Sequence, residues 1–192
     1  MATPYAYGPG FRNYLQEVSW QPGGGSALGG QVNQAAVARA YHNAARLWSG
    51  AGPALGGGRM PNLDLTGLRY RAAGQAWSPN NPHSPLRASW VGLHPEAIRL
   101  LSRGIATPAT KVALHEWAHI FQSPQTYRQG LYEGAAEAYM RSAMAPMLAR
   151  LGKTRQQRVQ MLKAIGPANT YQQEMRQAYQ RGLPWVLHGQ FR

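Results

Sequence analysis

The chain has 192 residues, 44% of them apolar and only 14% charged, so it can bury a core and is not disordered throughout. It contains no cysteine, which excludes a disulfide framework, a Cys-ligated zinc finger, an iron–sulfur cluster and a cysteine nucleophile. Lys and Arg number 20 against 7 Asp and Glu, a net charge of +13 that favours polyanions. The arginines are scattered rather than clustered, so only non-specific contact with nucleic acid is expected. No run approaches the roughly 18 apolar residues of a membrane span. The start, MATPYAYGPGF, has neither a basic leader nor an apolar stretch. No standard signal peptide and no membrane contact are expected, and the cytoplasm or a virion is the expected location.

Residues 1–30 read as an arm. GPG, QPGGG and LGG resist regular structure, yet Tyr5, Tyr7, Phe11, Tyr14 and Trp20 are spread among them. Such rings either pack back on the chain's own domain or dock on a neighbouring subunit. Residues 31–192 read as a single domain. Val32, Ala36, Ala40, Ala44 and Leu47 recur at helical spacing and predict a helix over 31–48. Ser49 to Pro61 is a Gly-rich loop. The segments 63–71, 73–78 and 87–93 are short strand candidates, and Pro95 opens a helix that closes near Gly104.

The best-marked helix follows. Thr107 is a candidate N-cap with Pro108 at the first helical position, and no breaker intervenes before Ser123-Pro124. A second helix is expected from Gln129 or Gly130, kinked or ended by Pro146. Two more are expected over 154–166 and 169–181; the last stretch, PWVLHGQFR, carries no pattern. The fold class is α+β: a small mixed sheet beside the marked helix, then a mainly helical C-terminal part.

His115-Glu116-Trp117-Ala118-His119 is an H-E-x-x-H motif on that helix. Positions i and i+4 share one helical face, so both imidazoles can reach one metal ion. Glu116 is one step round and can accept a proton from a metal-activated water. A random match is expected in under roughly 1% of such chains. The other histidines, His42, His83, His94 and His188, read as ordinary hydrogen-bonded groups. A catalytic zinc site usually takes three protein ligands. Glu133 and Glu137 are the downstream acids other than Glu174, they share a face of the next helix, and the small residues 134–136 allow close helix approach. The bland alternative is an exposed Glu137–Arg141 pair, worth only tenths of a kcal/mol.

H-E-x-x-H followed by E-G-x-A-E over residues 133–137 resembles the gluzincin metallopeptidases, the thermolysin-like branch of the zincins. The resemblance covers about residues 63–150. It implies a zincin-like fold, Zn²⁺ held by His115, His119 and Glu133, and Glu116 as general base. Glu137 would hydrogen-bond a motif histidine and set its ring. It further implies that 87–93 is the edge strand that pairs with an extended peptide or protein substrate. A second transition-state donor has no secure counterpart; Tyr127, Tyr171 and His188 are the candidates. The metzincin pattern is excluded, because positions 122 and 125 are Gln where it needs Gly and His.

The expected function is therefore zinc-dependent peptide hydrolysis. The rival is a structural or assembly protein, such as a virion subunit, that retains the fold and lies near nucleic acid. An intact Glu116 favours chemistry, because a purely structural zinc site needs no base.

Overall fold

The computed structural model describes residues 33–53, 55, 59–65, 74–82, 89–105, 108–165 and 171–181. The arm, Thr107, His83, His188 and PWVLHGQFR lie outside the described residues. Among the described residues the fold is α+β, with seven helices and one three-stranded sheet.

Helix α1 spans Gln34–Ala51, opened by Asn33, whose Oδ1 accepts from Ala36 N at 2.8 Å. It runs three residues beyond the expected Trp48. The reason is tertiary: Ala51 is fully buried, and Gly50 lies where a Cβ would meet Leu151 and Met147 at 3.0 Å. Strands β1 (Asn62–Asp64), β2 (Gly74–Trp77) and β3 (Trp90–Leu93) follow. All are shorter than the sequence suggested, and residues 66–73 and 83–88 are outside the described set. The strand order is β1-β3-β2, with β1 parallel and β2 antiparallel to β3.

This order corrects one expectation. The strand expected to be an edge within 87–93 is not one: β3, Trp90–Leu93, is paired on both sides, and Val91 and Leu93 are wholly buried. A strand with both rows of backbone groups in use has none to offer a peptide. The edge that packs against the marked helix is β2.

Helix α2 (Pro95–Arg103) is capped by His94, whose Nδ1 accepts from Glu96 N at 3.2 Å. That contact gives His94 the ordinary structural role its sequence context suggested. Helix α3 (Pro108–Phe121) carries the motif, and its apolar side supplies Val112, Ala113, Leu114 and Trp117 to the core. Trp117 meets Trp48 of α1 edge-on, with ring centroids 5.2 Å apart. A short helix α4 (Pro124–Arg128) lies between the marked helix and the next. The chain then reverses through Gly130, whose φ of +66° lies in the left-handed region that glycine tolerates.

Helix α5 (Tyr132–Arg150) continues past Pro146, where an end was one of the two expected outcomes. Ala143, Met144, Met147 and Leu148 bury the helix on both sides of the proline. Pro146 and Ser142, whose carbonyl loses its helical donor, are exposed, so water can satisfy that carbonyl. Helices α6 (Arg155–Ile165) and α7 (Gln172–Gln180) complete the described fold close to their expected spans. No helix among the described residues is long and apolar enough to cross a membrane.

Candidate metal centre

Lys111, His115 and His119 recur every four residues on α3, and Glu133, Glu137 and Arg141 do the same on α5. The two rows face each other in antiparallel sense: His119 meets Glu133, His115 meets both glutamates, and Lys111 meets Glu137. Helical periodicity therefore converts two sequence spacings into one ladder of side chains.

At its centre, His115 Nε2 lies 3.0 Å from Glu133 Oε2 and 3.1 Å from His119 Nε2, and His119 Nε2 lies 3.4 Å from the same oxygen. Three ligand atoms around a tetrahedral zinc, with bonds of about 2.1 Å, stand about 3.4 Å apart. The triangle is thus slightly tight and of the right shape. His115, His119 and Glu133 form a buried group able to hold a metal ion. The other ring nitrogens each face an oxygen. His115 Nδ1 is 3.4 Å from Glu137 Oε2, and His119 Nδ1 is 3.4 Å from Gln122 Oε1. With both protons on Nδ1, two nitrogen lone pairs and a carboxylate oxygen converge on one point, an arrangement that a cation relieves.

Electrostatics without the ion show the same demand. Burial pushes the His115 imidazole down, but hydrogen bonds to Glu133 and Glu137 outweigh it and hold the group up at about 10. Burial pushes Glu133 up, yet the charge of His119 and hydrogen bonds to both histidines bring it down to about 2. Glu137 is likewise pushed up by burial, then brought to about 2 by His115, Lys111 and Arg141.

Glu116 stands apart from the ladder. It is 1% exposed, its Oε2 has no hydrogen-bond partner, and burial raises it to about 7 against the pull of His119 and His115. Strand β2 passes directly over it at Gly74.

The structure separates the candidate donors. The Tyr127 hydroxyl donates to His119 O at 2.7 Å, so it braces α3. The Tyr171 ring stacks over His115, with centroids 5.8 Å apart and planes at 27°. Burial and the neighbouring Glu133 and Glu116 charges push its hydroxyl far up, so it keeps its proton. Next to it, Glu174 Oε2 accepts from Gly134 N at 3.0 Å.

The Glu137–Arg141 pair is not the exposed pair of the bland alternative. Glu137 is wholly buried and is held by Arg141 at 2.7 Å and by the buried Lys111 at 3.6 Å. Sequence reasoning missed Lys111, Gln122 and Gly74. Lys111 was legible as the residue four before His115; the other two were not, because their roles depend on which element passes near them. No family model, curated protein sequence or solved structure matches this chain.

Proposed function

We propose that the chain is a zinc metallopeptidase with a zincin-like fold. The observation that carries this reading is the convergence of His115 Nε2, His119 Nε2 and Glu133 Oε2 beside the buried, partnerless Glu116 carboxyl. Two imidazoles and one carboxylate suit zinc by donor type. Bound there, zinc supplies Lewis acidity, polarising a scissile carbonyl and lowering the pKa of water.

The chain's own residues do the rest. Glu116, held near 7 by burial, takes the proton of the attacking water and passes it to the leaving amide nitrogen. Tyr171, which stacks over His115 and keeps its proton, is assigned to the developing oxyanion. An extended peptide pairs with the edge of β2 that has no strand partner among the described residues, beside Glu116.

A second reading is favoured by one observation. His115, Glu116, His119 and Glu133 are all less than one tenth exposed, as in a closed structural metal centre. Under that reading the fold serves an assembly, and Glu116 is a bystander. A single experiment separates the two. Zinc content and hydrolysis of an unfolded protein substrate are measured for the wild type and for Glu116→Gln. The peptidase reading expects one zinc per chain in both and hydrolysis only in the wild type. A zinc-loaded wild type without hydrolysis sinks the peptidase and leaves the structural centre.

A further inference from the structure

We propose that Gln122 is a positioning residue for this metal centre: one side-chain amide sets the His119 ring and tethers the start of the helix that carries Glu133. The inference rests on the metal reading of the His115–His119–Glu133 group, and not on hydrolysis.

Gln122 follows the last residue of α3 and is fully buried. Its Nε2 donates to the backbone oxygen of Tyr132, the first residue of α5 and the immediate neighbour of Glu133. A carbonyl only accepts, so the NH2 end of the amide must face Tyr132. The oxygen end is thereby turned toward His119, where Oε1 lies 3.4 Å from Nδ1. An acceptor at that position requires the Nδ1–H tautomer of His119. The lone pair then sits on Nε2, the atom that faces His115 Nε2 and Glu133 Oε2. The same amide fixes the separation between the end of α3 and the beginning of α5, and with it the distance between two ligands on different helices. Glu137 performs the equivalent service for His115 through Nδ1. The two histidines are therefore set by different chemistry, a carboxylate for one and an amide for the other.

No apolar residue can do this, and a carboxylate can do half of it. Gln122→Met keeps the length and loses both contacts. Gln122→Glu keeps an acceptor for His119 and loses the donor to Tyr132.

The test is Zn²⁺ affinity by chelator competition, with the visible spectrum of the Co²⁺-loaded protein and a thermal melt of each metal-free protein. Gln122→Met is expected to bind Zn²⁺ about 10–100-fold more weakly and to shift the Co²⁺ bands. Gln122→Glu is expected to bind more tightly than Gln122→Met. A folded Gln122→Met protein with wild-type affinity and spectrum overturns the proposal, as does a Glu variant no better than Met. Should the Met variant not fold, NMR of the zinc-loaded wild type decides: a His119 Nδ1–H tautomer supports the proposal and an Nε2–H tautomer overturns it. A wild-type chain that binds no Zn²⁺ removes the metal reading and this proposal together. A Zn²⁺-binding chain without peptidase activity leaves the proposal standing.

Discussion

Gly74 on β2 and Glu116 on α3 are in such close contact that a Cβ at Gly74 would lie 2.6 Å from Glu116 Cγ and 2.9 Å from Oε1. Real Cβ atoms do not approach that closely, so glycine is what lets the edge strand run over the acid. The same Cβ would meet Val112 Cγ1 at 2.9 Å, which closes the other direction of escape. Gly74→Ala should therefore push the Glu116 carboxyl aside or lift β2. The expected cost in stability is about 1–3 kcal/mol, typical of an overpacked site. Hydrolysis should fall steeply while zinc stays bound, because the atoms nearest a Cβ at Gly74 belong to Glu116 and Val112 and not to a ligand. Measuring zinc content and turnover on the same sample checks this; zinc loss in step with activity would place Gly74 in the metal site itself.

Glu137 gathers three cationic or cation-forming neighbours, and their removal should not be equivalent. Its Oε1 takes Arg141 Nη2 at 2.7 Å and Lys111 Nζ at 3.6 Å, while Oε2 faces His115. Glu137→Ala removes the carboxylate that faces Lys111, which is 1% exposed. Removing one partner of a buried pair costs about 3–5 kcal/mol. Adding Lys111→Met to Glu137→Ala should return part of that loss. Urea denaturation of the four metal-free proteins in a double-mutant cycle reads the coupling directly. Additive losses would mean that Lys111 and Glu137 do not act as a pair.

The two-helix ladder was legible because it depends on local periodicity alone. Spacings of four place His115 with His119 and Glu133 with Glu137 whatever the rest of the chain does. Where sequence reasoning failed, a distant partner decided the outcome. Pro146 did not end α5, since core residues flank it and its unpaired carbonyl partner lies in solvent. Within 87–93 the described strand Trp90–Leu93 is central because β1 and β2 pair with β3 from opposite sides, a matter of topology that a short apolar run does not encode. Gly74 was one glycine among 22, and nothing local marks it as the one beneath a catalytic candidate.

Stripped of metal, the protein should be most stable near pH 4.5 and lose stability in both directions. Glu133 and Glu137 are held down to about 2 from an ordinary 4.5, so their contribution is present above 4.5 and fades as pH falls toward 2. Glu116 is raised to about 7, so its contribution is complete below 4.5 and is lost as pH rises through 7. His115 is raised to about 10 from 6.5, so its contribution is present below 6.5 and disappears on the way to 10. The charges of Lys111 and Arg141 help hold Glu137 down. Saturating zinc should reverse the alkaline limb, because metal replaces the His115 proton and binds better as that proton leaves. Thermal melts from pH 3 to 10 with and without zinc test both limbs; a metal-free optimum above pH 7 would contradict the assignment.

Helix α7 should lift from the site independently of the main core, and Gly134 is the notch that seats it. A Cβ at Gly134 would lie 2.4 Å from the backbone carbon of Glu174 and from Met175 N, so α7 rests directly on the start of α5. The seat is small. Ala178 joins only Leu131 and Ala135 in a buried cluster separate from the main core, and Glu174 adds one hydrogen bond to Gly134 N. Tyr179 is 45% exposed and contributes little burial. Just ahead of the helix, Tyr171 lies on His115, so movement of α7 uncovers a ligand. Gly134→Ala should therefore unseat α7 without unfolding the core that α1, α3 and α5 share. Amides of residues 171–181 should exchange faster with solvent, while those of α3 keep their protection. A chelator should strip zinc several-fold faster from the variant, because the covering ring no longer sits on His115. Hydrogen exchange by mass spectrometry and stopped-flow chelation measure the two effects separately. Unchanged exchange over 171–181 in a folded Gly134→Ala protein would show that α7 is not seated through this contact.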